Sequence, residues 1–486
     1  MAPSSNENQV ACFLNSASEA AKTILETVKE DGFIHVFSHL DADGVAAAGI
    51  IGKALFRLDA KFRIRITQWI EEKIFEVLSD KPQLIVFSDL GSGYTDLLGE
   101  KLKDFKMVIL DHHQIVGENG DNLVHVNPHL HGIDGARDIS GAGVAYFVAK
   151  AMDEVNVDSA PVAVVGALGD LQDKYDQRML GGLNEMIVQD AVNAGALTVE
   201  KDLIFFGRET RPIHRMLANT TTPFIPGISG EEGNSLAFLK KLNIEPKNGE
   251  KWRALRDLQD DEKKRLCTAL ADYLLSKGLR FDVGDLIGHV YVLNHEEPWT
   301  PLRDAREFSV LLNATGRMDR SSLGVAVCMG DRGSSFEEAT KVLEDYRRNI
   351  NKYLGWVMEK PERIREMGNI YVVYGENFIN DKIVGAISSI LSGGLPNPDK
   401  PLIAYANVED QGLAKISART VDAIVARGIN LGDIMQVAAE KCEGKGGGHN
   451  IAAGAQVPLD KVDTFIGIVN DLVGQQLKRD QPSKPK

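Results

Sequence analysis

Acidic and imidazole side chains recur at four separated points of the sequence, each after a short apolar run. The segments are HLDADG (residues 39–44), DLGSG (89–93), DHHQ (111–114) and GALGD (166–170). They supply these candidate residues: His39, Asp41, Asp43, Asp89, Asp111, His112, His113 and Asp170. Buried together without partners, such carboxylates would repel one another until some took up protons. Oxygen and imidazole donors suit Mn²⁺ or Mg²⁺, so we expect a pair of divalent cations here.

The surrounding elements predict how these side chains meet. The runs FIHVFS, LIVFS and MVIL are typical of buried strands in a parallel sheet, and we expect all four segments to follow strands. Helical patterns lie between them, at residues 45–55 and 140–152. This alternation predicts a doubly wound α/β domain, whose sites form at the carboxyl edge of the sheet. One DxD alone is typical of a turn, but the four segments together favour a metal site.

The rest of the chain predicts further parts. Helix signals dominate residues 199–286, which we interpret as a mostly helical insertion. Strand-like patches return at HVYVLN (289–294) and SLGVAVCM (322–329), and a long helix over residues 336–360 is expected to act as a connector. A second α/β pattern follows from residue 370 onwards.

Composition narrows the class of protein. The 486 residues carry a net charge of −14. A protein that coats nucleic acid nonspecifically is usually basic, so this charge disfavours that class of protein. The four cysteines form no CxxC pair, which disfavours a disulfide framework and a thiolate zinc site. No apolar run reaches the roughly 18 residues of a membrane span, and no secretory signal is visible. We therefore expect a cytoplasmic protein without a membrane partner.

The motifs resemble those of a known family. HLDADG, the lone Asp89, DHH and GALGD resemble the four motifs of the DHH phosphoesterase superfamily. SART (417–420) and GGGHNIAAGA (446–455) resemble the motifs of the DHH-associated domain. The segments NP (127–128), SGAG (140–143) and LLNATGRMDRSSLGVAV (311–327) resemble the archaeal branch of the RecJ exonucleases.

This resemblance implies a domain plan. An N-terminal DHH domain with a mainly parallel sheet would span residues 1–335, including the insertion at about 199–286. The connector helix (336–360) would lead to a C-terminal α/β DHH-associated domain (361–478) that binds nucleic acid. A basic tail (479–486) would end the sequence.

The resemblance also implies six ligands for two ions, Mn²⁺ or Mg²⁺: His39, Asp41, Asp43, Asp89, His112 and Asp170. The first two would hold one ion, Asp89 would bridge both ions, and the other three would complete the second. His113 would face the scissile phosphate, while Asp111 would orient the neighbouring imidazoles. Two such metal ions lower the pKa of a bound water, so that hydroxide can attack phosphorus near neutral pH.

A glycine cluster near the C-terminus predicts a second binding site. Gly446, Gly447 and Gly448 let backbone amides approach a phosphate closely, because no Cβ blocks the way. His449 adds a donor, and Arg419 can bind a phosphate through two hydrogen bonds. The resemblance also places Ser417, in the SART motif, among the substrate-binding residues.

Other polar side chains are weaker candidates. Arg137, Arg317 and Arg320 could meet nucleic-acid phosphates, but solvated surface arginines are about equally expected. His125, His129 and His131 follow another strand, and we expect solvated imidazoles in a loop.

These observations favour a metal-dependent 5′–3′ exonuclease that releases nucleotides from single-stranded DNA, with RNA as an alternative substrate, in DNA replication or repair. One alternative is a phosphodiesterase of very short oligonucleotides or cyclic dinucleotides. Another is a replication-fork scaffold that binds the GINS complex, since the archaeal RecJ branch resembles a eukaryotic helicase-assembly factor whose members have lost metal ligands. The intact ligands here favour an enzyme.

Overall fold

The computed structural model folds as two compact units, Met1–Leu343 and Glu344–Lys486. It describes residues 5–70, 74–75, 78, 81–118, 120–220, 225–277, 286–392, 395, 397, 399–408 and 411–479. Within these ranges, no helix has the length and apolar character needed to cross a membrane. The predicted basic tail falls almost wholly on residues 480–486, outside the described residues. The finer domain limits given above stay a prediction.

A five-stranded parallel sheet forms the centre of the first unit, in the order β2–β1–β3–β4–β5. Its strands are β1 (Phe33–His39), β2 (Lys61–Thr67), β3 (Leu84–Ser88), β4 (Lys106–Leu110) and β5 (Leu123–Val126). The apolar runs predicted as strands are therefore confirmed for β1, β3 and β4. Because all five strands run the same way, the residues that follow them emerge at one carboxyl edge.

Helices surround this sheet and carry its motifs. They are α1 (Ser5–Lys29), α2 (Ala42–Arg57), α3 (Thr95–Lys101), α4 (Gly141–Met152), α5 (Ala160–Gly169) and α6 (Leu183–Asn193). The HLDADG segment turns directly from β1 into α2, and a Cβ at Gly44 would lie 2.4 Å from the carbonyl oxygen of His39. GALGD ends the buried helix α5, so the prediction that Asp170 follows a strand is wrong. Its apolar run is short enough to fit either a buried strand or a buried helix.

The predicted insertion is confirmed as mostly helical. It lies between β6 (Leu197–Leu203) and β9 (Ile287–Leu293), which pair antiparallel. Its elements are α7 (Ile213–Ala218), α8 (Glu232–Lys241), β7 (Lys247–Asn248), β8 (Lys251–Trp252) and α9 (Asp260–Ser276). Leu266, Leu270 and Leu274 line one face of α9 and belong to a hydrophobic core of the insertion's own.

Three helices follow the insertion: α10 (Ala305–Arg317), α11 (Ser321–Met329) and α12 (Ser334–Glu359). The last matches the predicted connector helix. SLGVAVCM forms α11, so its interpretation as a strand is wrong. A short apolar run with β-branched residues does not distinguish a strand from a buried helix. Gly324 allows this helix to pack closely against α2, since an added Cβ would lie 2.8 Å from the side chain of Val45.

The second unit contains a six-stranded mixed sheet in the order β10–β11–β12–β13–β15–β14. Its strands are β10 (Ile364–Glu366), β11 (Tyr371–Tyr374), β12 (Leu402–Val408), β13 (Leu413–Arg419), β14 (Lys445–Gly448) and β15 (Ala452–Pro458). Its helices are α13 (Val384–Ser392), α14 (Asp422–Val425), α15 (Leu431–Lys441) and α16 (Val462–Arg479). Both units thus confirm the predicted α/β class. Short 3₁₀ turns lie at Ser92–Tyr94, Pro128–His131, Glu154–Ser159, Asp176–Arg178, Leu255–Asp257, Pro361–Arg363 and Leu459–Lys461.

We predict that Gly316→Ala destabilises the first unit. An added Cβ would lie 1.6 Å from the carbonyl oxygen of Leu40, which is backbone and cannot turn aside. We expect a loss of about 1–3 kcal/mol in the free energy of unfolding, measured by urea denaturation. Gly99→Ala on α3 is the matched control, because among the described residues nothing lies within 4 Å of its added Cβ. Equal stability of the two variants would contradict the close approach of α10 to the HLDADG segment.

Candidate metal centre

The structure brings the six predicted metal ligands together at the carboxyl edge of the first sheet. Three sets of donor atoms each lie within 4.8 Å of one another. Two of them hold the predicted ligands: His39, Asp41 and Asp89 in one, and Asp43, His112 and Asp170 in the other. The third joins Asp89 and His112 with Asp111 and His113. Asp89 also contacts the set that contains Asp43, because its Oδ1 lies 3.3 Å from His112 Nε2. The two sets are therefore adjacent.

Asp41 both caps a helix and contacts an imidazole. Its Oδ1 accepts a hydrogen bond from the amide of Gly44 (3.0 Å), and its Oδ2 lies 3.0 Å from His39 Nδ1. Burial acts to raise the pKa of Asp41, but the His39 imidazole outweighs it and holds that pKa well below its usual value. Asp41 is thus an ionised candidate ligand.

Asp43 is held by the start of α4. Its carboxylate accepts hydrogen bonds from the amides of Gly141 (2.6 Å) and Ala142 (3.0 Å). These amides lie at the N-terminus of α4, which is the positive end of the helix dipole. Burial nevertheless raises the pKa of Asp43 to about 6, although His112 opposes the shift; the carboxylates of Asp170 and Asp41 add to it. The SGAG segment therefore has the structural task of holding a ligand.

Asp89 is the carboxylate of this site whose negative charge is least compensated by its neighbours. Both of its oxygens are buried, and neither has a hydrogen-bond partner among the described residues. Burial, followed by the charges of Asp43 and Asp41, raises the pKa of Asp89 well above its usual value. Gly141 permits this placement, because a Cβ there would lie 2.4 Å from Asp89 Oδ1. A buried carboxylate without a partner is costly, so this donor set fits a divalent cation.

Asp111 organises the DHH motif and belongs, with His113, to the third set of donor atoms. Its Oδ1 lies 2.7 Å from His113 Nδ1, and its Oδ2 accepts the amide of Ser92 at 2.9 Å. Burial acts to raise the pKa of Asp111, but His113 outweighs it and holds that pKa well below its usual value. In return Asp111 overcomes the effect of burial on His113 and raises the pKa of His113 to about 9. His113, whose side chain is 43% exposed, is therefore a protonated donor.

The expectation of a solvated imidazole is wrong for His125. This residue is buried on β5, and its Nε2 lies 2.8 Å from the hydroxyl of Ser92. Asn127 donates to the same hydroxyl and to the carbonyl oxygen of His113, both at 2.9 Å. His125 continues the β5 strand instead of starting a loop, which only the strand pairing reveals. The hydrogen bonds of His125, Ser92 and Asn127 therefore support the DHH motif.

The predicted phosphate site of the second unit lies at one end of its sheet. Arg419 pairs in register with Ala452 on β15, whose neighbour Ala453 pairs with Gly448 on β14. Arg419 Nε donates to the hydroxyl of Ser389 (2.8 Å), a contact that the sequence did not reveal. Ser417 is buried, with its hydroxyl 2.8 Å from that of Ser388.

The three glycines of this site differ in their surroundings. A Cβ at Gly446 would lie 2.5 Å from the carbonyl oxygen of Met435, and Gly448 has a φ of 137°. Both positions therefore require glycine for the fold itself. At Gly447, by contrast, no heavy atom of the described residues lies within 4 Å of an added Cβ. His449 follows, with its amide donating to the carbonyl oxygen of Ala452 (2.8 Å).

Family models match three parts of the chain. The N-terminal domain of the DHH family matches residues 33–168, the DHH-CID domain residues 205–287, and the DHHA1 domain residues 368–475. The chain belongs to the DHH superfamily. An uncharacterised protein of Methanocaldococcus jannaschii is 32% identical over 476 residues, which cover 96% of this chain and 99% of that protein.

Solved structures share the fold of this DHH protein. RecJ of Thermus thermophilus in complex with Mn²⁺ has a TM-score of 0.59 at 17% identity, covering 95% of this chain. The chain spans only 55% of the length of that RecJ chain. CDC45 of Entamoeba histolytica has a TM-score of 0.63 at 10% identity, covering 94% of this chain and 99% of CDC45. The fold is RecJ-like.

We predict that Asp89→Asn uncouples the stability of the protein from metal. The variant without metal should be at least as stable as the wild type, because a buried carboxylate without a partner is gone. Mn²⁺ at roughly 100 times its dissociation constant should stabilise the wild type by about 2.7 kcal/mol per site, and the variant far less. Urea denaturation after EDTA treatment, with and without Mn²⁺, measures both effects.

The exposed Asp121→Asn is the matched control and should respond to Mn²⁺ as the wild type does. A full response in Asp89→Asn would show that Asp89 is not a shared ligand.

Proposed function

We propose that this protein is a two-metal-dependent phosphodiesterase, acting as a RecJ-like 5′–3′ exonuclease on single-stranded DNA in replication or repair. The observation that carries the proposal is the cluster of oxygen and imidazole donor sets around Asp89, whose buried oxygens accept no hydrogen bond from the described residues. RecJ structures of the same fold are described with Mn²⁺ and with Mg²⁺, which supports these ions as cofactors. Membership of the DHH superfamily supports a metal-dependent hydrolase.

The proposed ligands are those placed together in the structure. His39 and Asp41 would bind one ion, Asp43, His112 and Asp170 the other, with Asp89 between them. Two bound divalent cations supply a low-pKa water and neutralise charge that develops on a phosphodiester. No nucleophilic serine or cysteine is needed.

The chain's own groups then orient the substrate. The protonated His113 presents a donor from the same edge of the sheet, and Asp111 keeps its ring in place through the 2.7 Å hydrogen bond. A charged donor close to the phosphate would stabilise negative charge as the bond to the leaving oxygen lengthens. The amides at the start of α4 hold Asp43 as that charge develops.

The second unit is proposed to bind the phosphates of the strand. Arg419 supplies a guanidinium whose position is set by Ser389, and Gly447 supplies backbone that a ligand can approach closely. Gly446 and Gly448 lie in the same strand, β14, and His449 follows it. Ser417 would support Arg419 indirectly, through the buried contact between its hydroxyl and that of Ser388.

Digestion of end-labelled DNA and RNA strands, with Mn²⁺ or Mg²⁺, tests the activity, its direction and the sugar preference together. We expect mononucleotides to be released from the 5′ end of single-stranded DNA. Asp89→Ala should remove nearly all cleavage, and Asp121→Ala should leave it unchanged. Preferential cleavage of a labelled dinucleotide over a long strand would replace the exonuclease with the short-oligonucleotide alternative.

We predict that Arg419→Ala raises KM for the strand more than it lowers kcat, because the guanidinium binds phosphate away from the reacting bond. Steady-state kinetics on a labelled single strand measures both constants. Arg427→Ala, which removes an exposed ion pair with Asp399 in the same unit, should change neither. A fall in kcat with unchanged KM would place Arg419 in the chemical step.

A replication-fork scaffold is the second candidate, favoured by the likeness to CDC45 over nearly the whole chain. The insertion, with its own hydrophobic core, is the proposed docking surface for the GINS complex. Titration of the metal-free protein with GINS by calorimetry tests this role. Tight binding combined with no bound metal and no cleavage would favour the scaffold over the enzyme.

A further inference from the structure

A buried glutamine lies directly behind the proposed second ion. Gln172 is 0% exposed, and its side-chain amide donates to Asp170 Oδ2 at 2.9 Å and to the carbonyl oxygen of Gly135 at 2.9 Å. It also lies 3.1 Å from the carbonyl oxygen of Ile139. The same Gly135 oxygen lies 2.7 Å from His112 Nδ1. The Gly135 carbonyl and Gln172 therefore link His112 to Asp170, two of the three side chains proposed to hold the second ion.

The orientation of this amide is determined by its neighbours. Asn184, itself buried, donates to Gln172 Oε1 at 2.7 Å, which leaves the NH₂ group facing Asp170 and Gly135. The reverse orientation would set an amide oxygen against two carbonyl oxygens and a carboxylate. Gly135 can approach this closely only without a side chain, since a Cβ there would lie 2.0 Å from the carbonyl oxygen of His112.

The backbone delivers Gln172 to this point through the end of α5. The amide of Gln172 donates to the carbonyl oxygen of Ala167 (3.0 Å), and that of Leu171 to Leu168 (3.2 Å). Leu171 has a φ of 55°, at the position where such helix ends usually carry glycine. A left-handed conformation is strained for leucine, so the surrounding contacts maintain this turn against that strain.

The hydrogen at His112 Nδ1 follows from the same contact. A carbonyl oxygen only accepts, so Nδ1 carries the hydrogen and Nε2 faces the carboxylates of Asp43 (3.7 Å) and Asp89 (3.3 Å). The imidazole thus presents a lone pair towards the proposed ion when it is neutral.

We propose that Gln172 is a positioning residue for the second metal ion, setting Asp170 by direct donation and His112 through their shared Gly135 carbonyl. This inference rests on the proposed two-metal function. It assigns to Gln172 and Asn184 the role of fixing ligand geometry at one ion and not at the other.

Gln172→Met tests the proposal, since methionine keeps the length of the side chain and removes both polar groups. Mn²⁺ binding to the full-length protein is followed by electron paramagnetic resonance of free Mn²⁺. We expect one class of site to weaken about 10–100-fold while the other keeps its affinity. Activity should recover as Mn²⁺ is raised, with KM for the strand unchanged. Gln189→Met, on the exposed face of α6, is the matched control and should bind both ions as the wild type does.

Unchanged affinity at both sites, or equal weakening of both, would overturn the proposal. If Gln172→Met fails to fold, Asn184→Ala replaces it, because this change loosens the glutamine without touching a ligand. A several-fold weakening confined to one class of site would support the proposal, and no change would overturn it. A wild-type protein that binds no Mn²⁺ would instead refute the proposed function itself.

Discussion

Mutual repulsion between carboxylates withdrawn from water is the constraint on which the first unit depends. Most members of the group receive local compensation: Asp41 from an imidazole and a helix amide, Asp43 from the start of α4, and Asp111 from Ser92 and His113. Asp89 receives no hydrogen bond from any described residue. Much of the surrounding architecture, including the close approach of Gly141, exists to hold charges that destabilise the protein unless a cation joins them.

Sequence reasoning succeeded where the signal was local. Apolar runs of four to six residues followed by acidic segments were enough to predict parallel strands and a shared carboxyl edge, because strand direction alone brings their ends together. It failed where packing between distant segments decides the outcome. SLGVAVCM is a helix because it is buried against α2, and Asp170 ends a helix for a similar reason. His125, Gln172 and Asn184 could be read as ordinary polar residues, since partners that fix their positions lie 12 to 37 positions away in the chain.

The glycine run of the second unit meets two demands, one from the fold and one from the proposed phosphate site. Gly446 and Gly448 are required by the protein's own backbone, through a close contact and a positive φ, whereas Gly447 has no such requirement among the described residues. The glycine run alone favours a phosphate cradle but is also compatible with a flexible turn. The structure separates these demands residue by residue, and it adds Ser389 as the partner that orients Arg419. A net charge of −14 is compatible with an anionic substrate, because charge at such a site is local.

The pairing of β6 with β9 has a consequence for how this chain can change over evolutionary time. Leu203 and Ile287 are direct partners in that ladder, so the segment between them leaves and rejoins these two strands at adjacent points. Its apolar residues also cluster with one another. A module attached in this way can lengthen, shrink or be exchanged for another while the host strands keep their register. Only a few anchors need to be preserved, such as the buried ion pair of Arg208 with Asp202 (2.6 Å) and the donation from the amide of Glu209 to Glu307 (2.8 Å). Diversification at this point can therefore leave the acidic and imidazole residues at the carboxyl edge of the first sheet unchanged.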